Sequence, residues 1–176
     1  MGKQKKHFVI LVVLLLVIVA GYFGLQKYNE RMEIENLQRD TVRVFNNTEI
    51  EKFTYTYATN SYTLEKKDGK WIYTEDPSMK MDDVLIAGML SVAANIPISD
   101  TIEGVTDFEQ YGLAEPYLTV TCSDGENEYT VLMGDFNTTI RKYFIRINGE
   151  NKVYTADSSL YNTFTRTVES LQAKEE

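Results

Sequence analysis

The chain has 176 residues, a net charge of −8, 43% hydrophobic side chains and 25% charged ones. These proportions exclude wholesale disorder and allow one domain of ordinary size. A single cysteine, Cys122, excludes a disulfide framework and a cysteine-rich zinc module, and a single histidine, His7, leaves almost no room for histidine-based catalysis.

Residues 1–7 form a short head with Lys3, Lys5 and Lys6 and no acid. Residues 8–25 are an uncharged apolar run, which as a helix spans about 27 Å, close to the hydrocarbon thickness of a bilayer. Tyr22 and Phe23 near its end suit the membrane interface. A cleavable signal peptide would need a shorter core and small residues before the cut, where Ile18 and Ala20 match poorly. The run therefore reads as an uncleaved membrane anchor. Beyond it Lys27, Arg31 and Arg39 are interleaved with Glu30, Glu33, Glu35 and Asp40, so the purely cationic head predicts a cytoplasmic N-terminus and an exported C-terminal part.

Residues 26–40 contain neither Gly nor Pro and read either as a helical stalk or as a flexible linker. The 150 residues beyond position 26 carry 15 basic and 26 acidic side chains, a net −11. That charge repels nucleic acid and anionic membrane surfaces, so neither is expected as a partner of this part.

From Thr41 the pattern has period two, and residues 41–176 read as one extracytoplasmic domain. Phe53, Tyr55 and Tyr57 alternate with Thr54 and Thr56, and Tyr62 and Leu64 with Thr63 and Glu65, as in strands with one buried face. Asp68-Gly69 leads to a strand over 70–73, Asp124-Gly125 joins strands over 117–122 and 128–133, and Asn148-Gly149 joins strands over 143–147 and 152–156. Turns of this composition between alternating runs predict antiparallel hairpins.

Two helices interrupt them. Met81, Val84, Leu85, Gly88, Met89, Val92 and Ala93 form one predicted stripe, capped by Asp82 or Ser78 and followed by Pro97. A second helix is predicted over 158–171, with Leu160, Phe164, Val168 and Leu171 on one face. Strands with interrupting helices and no βαβ rhythm indicate an α+β fold of antiparallel hairpins with two main helices. Hairpin followed by helix recurs after Asp68-Gly69 and after Asn148-Gly149, either as a repeat on one core or as chance recurrence of a common motif.

The segment from Val105 to Pro116 reads as a very short helix with both ends specified. Asp107 can cap it and Gln110 can reach back. Gly112 can take positive φ, Leu113 can make the terminating apolar contact, and Pro116 feeds an extended strand. Each residue has a local task, so the segment reads as structural rather than as a ligand site.

Trp71, Pro77, Asp82-Asp83, then Asp107-x-x-x-Tyr111-Gly112-Leu113-x-x-Pro116-x-x-Thr119-Val120-Thr121, Gly134, Tyr143-x-x-Arg146 and Val153-Tyr154 follow a recognisable order. Over about residues 45–165 this order resembles the bacterial domain of unknown function 4340 family. The resemblance implies a membrane-anchored extracytoplasmic domain of the kind often encoded beside gliding-motility-type ABC transporter components. It supplies no catalytic residues. Many relatives are longer than this single-unit chain.

Candidate chemistry is sparse, and no catalytic, cofactor-binding or metal-binding residue is expected. The exported part has no histidine for a Ser-His or Cys-His pair. Cys122 is in phase with Leu118 and Val120 and reads as core. Asp124, Glu126 and Glu128 around a turn do not supply the loop of oxygens that calcium needs. Arg141 and Lys142 in the loop after Gly134, with Arg146 on the next strand, are the candidate contacts for an anionic group or partner; solvated balance of the acidic surface accounts for them as well. Phe53, Tyr55 and Tyr57 are the candidate aromatic contact, able to stack on a glycan or receive a protein, although core packing explains the same row. The expected role is a non-enzymatic binding or scaffolding domain with an envelope or membrane protein partner, accessory to an ABC transporter. A free-standing module that binds wall glycan or protein is the alternative.

Overall fold

A computed structural model of the chain describes residues 18–19, 21–27, 40–57 and 59–174. The head, most of the proposed span and most of the proposed stalk lie outside the described residues. Residues 18–19 and 21–27 are helical and belong to a first unit, residues 1–39. Their apolar side chains Ile18, Val19, Tyr22, Phe23 and Leu25 are all exposed. Among the described residues no helix is long and apolar enough to cross a membrane.

The second unit, residues 40–176, is built on nine strands and two α-helices among its described residues. The strands are β1 (Thr41–Arg43), β2 (Lys52–Tyr57), β3 (Asn60–Lys67), β4 (Lys70–Tyr73), β5 (Asn95–Glu103), β6 (Leu118–Ser123), β7 (Glu128–Asn137), β8 (Lys142–Ile147) and β9 (Lys152–Ala156). The helices are α1 (Asp83–Ala94) and α2 (Ser159–Phe164). Every strand pair is antiparallel, in the order β1-β5-β9-β8-β7-β6-β2-β3-β4. The α+β class and the hairpins expected from the turn residues are present. Asp68-Gly69 and Asn148-Gly149 each place both residues at positive φ, as two-residue hairpin turns require. Two meanders run outward from the central β2·β6 pair; β3–β4 leads into α1, and β8–β9 leads into α2.

That order forces three long crossovers, the first over residues 44–51 from the edge strand β1 to β2. The loop after β4 together with α1 carries the chain over one face, here the front, to β5 near the opposite edge. Residues 104–117 then return from β5 to β6, past β9, β8 and β7, on the back face. Four strand spacings are about 19 Å, a distance this strap covers while partly extended.

The main core lies at the front. Phe53 and Tyr55 of β2, Leu118, Val120 and Cys122 of β6, and Ile145 and Ile147 of β8 pack there with Ile86, Met89 and Leu90 of α1 and Leu160 and Phe164 of α2. A smaller back cluster joins Val105 and Leu113 of the strap to Val153, with Leu132 and Phe144 against it. Both faces are thus covered over β7 to β9, whereas the back of β2, β3 and β6 carries half-exposed threonines.

Two expectations need correction. Helix α1 buries Ile86, Met89, Leu90, Ala93 and Ala94, a face rotated from the predicted stripe, and Val84 is 83% exposed. The helix is apolar nearly all round, so its own periodicity selects no face. Asp82 caps it, accepting from the N–H groups of Val84 and Leu85 at 3.0 Å; Ser78 instead donates to Asp76. The predicted helix 158–171 is broken into α2 and a 3-10 turn, Val168–Leu171, although Leu160, Phe164, Val168 and Leu171 are buried as expected. Thr165 and Thr167, poor helix formers, lie at the break, where the Arg166 carbonyl accepts from the Tyr55 hydroxyl at 3.2 Å. Pro97 does not merely stop α1: it lies in β5, opposite Thr41 of β1.

Candidate partner-binding surface

At one end of the sheet, neighbouring strands bring five aromatic rings into a row. Tyr57 ends β2, Tyr117 immediately precedes β6, Phe136 lies near the end of β7, Tyr143 is the second residue of β8, and Tyr161 comes from α2. Successive centroids along the row are 5.3 Å (Tyr57–Tyr117), 6.0 Å (Tyr117–Tyr161), 5.4 Å (Tyr161–Tyr143) and 4.8 Å (Tyr143–Phe136). Tyr117, Tyr161 and Tyr143 are nearly parallel, with interplanar angles of 10° and 11°. Rings stacked in this way cover one another's faces and meet solvent mainly through edges and hydroxyls. Tyr117 and Phe136 remain 43% and 44% exposed. The Tyr117 hydroxyl donates to the Tyr57 hydroxyl at 3.1 Å. That bond first, then desolvation and the Tyr161 hydroxyl, holds Tyr117 well above the ordinary tyrosine range, so it is neutral at physiological pH.

The row continues into the β7–β8 hairpin tip. Phe136 and Tyr143 are cross-strand partners. The Asn137 side chain accepts from the N–H groups of Thr139 and Ile140 at 3.0 and 3.2 Å, which fixes the tip. Arg141 sits in the left-handed region at φ 55°. Arg141 and Lys142 have no ion-pair partner among the described residues. Arg146 does not join them. Its guanidinium lies 3.7 Å from the Phe108 ring centroid and donates to the carbonyls of Glu150 and Gly149 at 2.8 and 2.7 Å. Of the three candidate cations, two stand beside the row and the third fastens the strap.

The aromatic contact expected from β2 is corrected in the same way. Phe53 and Tyr55 are fully buried, Phe53 edge-on to Trp71 at 5.2 Å and Tyr55 edge-on to Phe164 at 5.7 Å. Only Tyr57 reaches the row. The sequence reading missed Tyr117, Phe136, Tyr143 and Tyr161. One local signal was available, since Tyr117 follows Pro116 and is out of phase with Leu118, Val120 and Cys122.

The other candidate chemistry is engaged structurally. Burial pushes the Cys122 thiol up to about 12, which keeps it protonated. The Asp83 carboxylate accepts from the Trp71 N–H at 2.9 Å, tying β4 to α1. Asp124 accepts from the Asn127 N–H at 2.7 Å and the Tyr129 hydroxyl at 2.9 Å. Among the described residues no group of three His, Cys, Asp or Glu side chains converges.

The motif at 105–116 is the strap itself. Asp107 accepts from the Glu109 N–H at 3.0 Å, whereas the Gln110 amide donates to the Asp107 carbonyl and not back to a capping N–H as a carboxamide acceptor. Gly112 takes φ 66°, Leu113 is buried, and Tyr111 meets Phe144 edge-on at 5.0 Å. Where the strap passes over β7, Gly112 faces Gly134. A Cβ on Gly134 would lie 2.2 Å from the Tyr111 carbonyl oxygen, so only glycine admits the crossing.

A family profile described as a domain of unknown function, DUF4340, matches residues 71–176. The chain belongs to this family. No curated protein and no solved structure matches the chain. The matched span begins at Trp71 and runs past the expected residue 165. The family domain thus contains α1, the strap and four rings of the row; Tyr57 lies before it.

Proposed function

We propose that the chain is a non-enzymatic, membrane-anchored extracytoplasmic domain that binds or scaffolds a protein partner, as an accessory to an ABC transporter. The observation that carries this reading is the aromatic row beside a fixed hairpin tip. Tyrosine combines large contact area with few rotors and a polar end, the composition of protein-recognition surfaces. Ring edges and hydroxyls suit peptide better than a glycan, which needs open ring faces. The apolar run 8–25 and the exposed apolar side chains at its described end support the anchor. The transporter context rests on the family resemblance.

The test is a photo-crosslinking residue at position 117 of the full chain in native membranes, with adducts identified by mass spectrometry. A transporter subunit among the adducts is expected; adducts lacking any such subunit would count against the accessory role. Thr138→Cys, at the exposed tip, should react with an impermeant maleimide in intact cells whose outer layers admit it, and absence of reaction would overturn the exported topology. The second reading, a module that binds wall glycan, draws on the partial exposure of Tyr117 and Phe136. It requires retention on isolated wall that is lost in Tyr117→Ala and Phe136→Ala.

A further inference from the structure

The site just described has a polarity that its parent domain lacks. From Phe136 to Ile147 the sequence is Phe-Asn-Thr-Thr-Ile-Arg-Lys-Tyr-Phe-Ile-Arg-Ile, with three cations and no carboxylate, inside a part of the chain whose net charge is −11. Arg146 is spent on Phe108 and on two backbone carbonyls at the back face. Arg141 and Lys142 are not spent: no described carboxylate lies within ion-pair distance of either. The neighbouring Asp135 carboxylate is exposed and lies beside Gly112 of the strap, beyond ion-pair distance of either cation. Two uncommitted cations therefore stand at a hairpin tip one and two residues before Tyr143, next to exposed Phe136 and Ile140.

We infer that the occupant of the aromatic row is an acidic polypeptide segment of the partner, with aliphatic or aromatic side chains against Phe136 and Tyr117 and carboxylates on Arg141 and Lys142. This rests on the reading of the row as a protein-binding surface. The charge sign favours this occupant, because the two cations beside the row attract carboxylates that the net charge of the domain otherwise repels. The fixed turn lowers the ordering cost of engaging the cations, and a guanidinium offers a carboxylate two parallel hydrogen bonds. A basic or neutral segment would leave both cations unused. A second copy of this domain is a poorer occupant, since its net charge opposes approach.

The experiment selects displayed random dodecapeptides on the full chain in nanodiscs at about 50 mM salt, then measures selected synthetic peptides by fluorescence anisotropy. Enriched sequences are expected to carry net negative charge together with Leu, Ile, Phe or Tyr. Their affinity should fall by about tenfold or more in Arg141→Asn with Lys142→Ala, a pair that keeps the left-handed turn. It should also weaken as salt rises to 500 mM, and the pair Arg141→Glu with Lys142→Glu should invert the preference towards basic peptides. Circular dichroism checks that each variant is folded.

Enrichment of neutral or basic peptides, or affinity unchanged in the charge variants, overturns the acidic occupant. If such peptides still depend on Tyr117, the protein-binding reading stands. If no peptide enriches while polygalacturonate binds the row, both fall and the glycan reading replaces them.

Discussion

Gly112 and Gly134 meet where the strap crosses β7, and no side chain fits between them. Gly134→Ala drives a Cβ to 2.2 Å from the Tyr111 carbonyl oxygen and 2.8 Å from the Gly112 carbonyl carbon. The variant is expected to lose about 1–3 kcal/mol, read from its urea midpoint. Gly88→Ala, in the interior of α1 with open space around it, should instead gain about 0.5–1 kcal/mol. Two glycines of equal appearance in the sequence thus have opposite predicted signs.

Asp124 gives a pH-dependent case. Bonds from the Asn127 N–H, then the Tyr129 hydroxyl, lower its pKa from 3.8 to about 2. A carboxyl depressed on folding contributes stability that is complete above its ordinary value and is lost as pH falls towards the folded one. The gap in urea midpoint between the native chain and Asp124→Asn should therefore be full at pH 6 and close between about pH 4 and pH 2. A gap independent of pH would show that the ionised carboxylate is not what the turn uses.

At the scale of elements, α1 shows what pattern reading can and cannot do. Its start was legible because Asp82 acts on backbone two and three residues away, and local chemistry is written locally. Its buried face was not legible, because Val84, Leu85, Ile86, Met89, Leu90 and Val92 put apolar side chains on every side. Packing against β4, β5 and α2 chose Ile86, Met89, Leu90 and Ala93. Ile86→Ala should cost about 2–5 kcal/mol, whereas Val84→Asp should change stability by no more than about 0.5 kcal/mol. Thermal or urea unfolding distinguishes this face from the rotated one, for which the ranking would reverse. The hairpins were legible for the same local reason as the cap: Asp68-Gly69 and Asn148-Gly149 specify their turns alone.

At the scale of the whole domain, segments far apart in sequence are tied together at the start of α1. The Asp82 N–H donates to the Leu171 carbonyl at 2.9 Å, the Ala173 N–H donates to the Lys80 carbonyl at 2.9 Å, and Gln172 bridges to Met81. Val168 and Leu171 are buried in the main core beneath this contact. Removing residues 168 onward exposes their sites and costs about 3–6 kcal/mol of apolar burial, a large share of the stability of a domain this size. The truncated chain is expected to lose its near-ultraviolet circular dichroism, and retention of that signal would show the contact to be dispensable.

The candidate site belongs to this scale too. Its five rings come from β2, β7, β8, α2 and the end of the strap before β6, and no spacing within one segment announces them. The local geometry of the strap, by contrast, was legible in part: Asp107 accepts from the Glu109 N–H and Gly112 takes positive φ, whereas Phe108 stands at the cap and Gln110 closes no capping box. Why the chain needs such a segment there became evident only from the strand order, which sends it across three strands.

Tyr55 and Tyr57 draw the boundary between the two kinds of knowledge. They lie on one strand, on one face, with the same alternating threonines, and that alternation was enough to specify the strand and its period, whereas its pairing with β3 emerged from the fold. Phe164 of α2 and Tyr62 of β3 close over Tyr55 and make it core, while Tyr57, one step further along, meets Tyr117 at the surface. Only the tertiary structure decided which tyrosine became core and which joined a surface, because burial depends on what the rest of the chain lays over a strand. Local backbone preference carries no information about that cover.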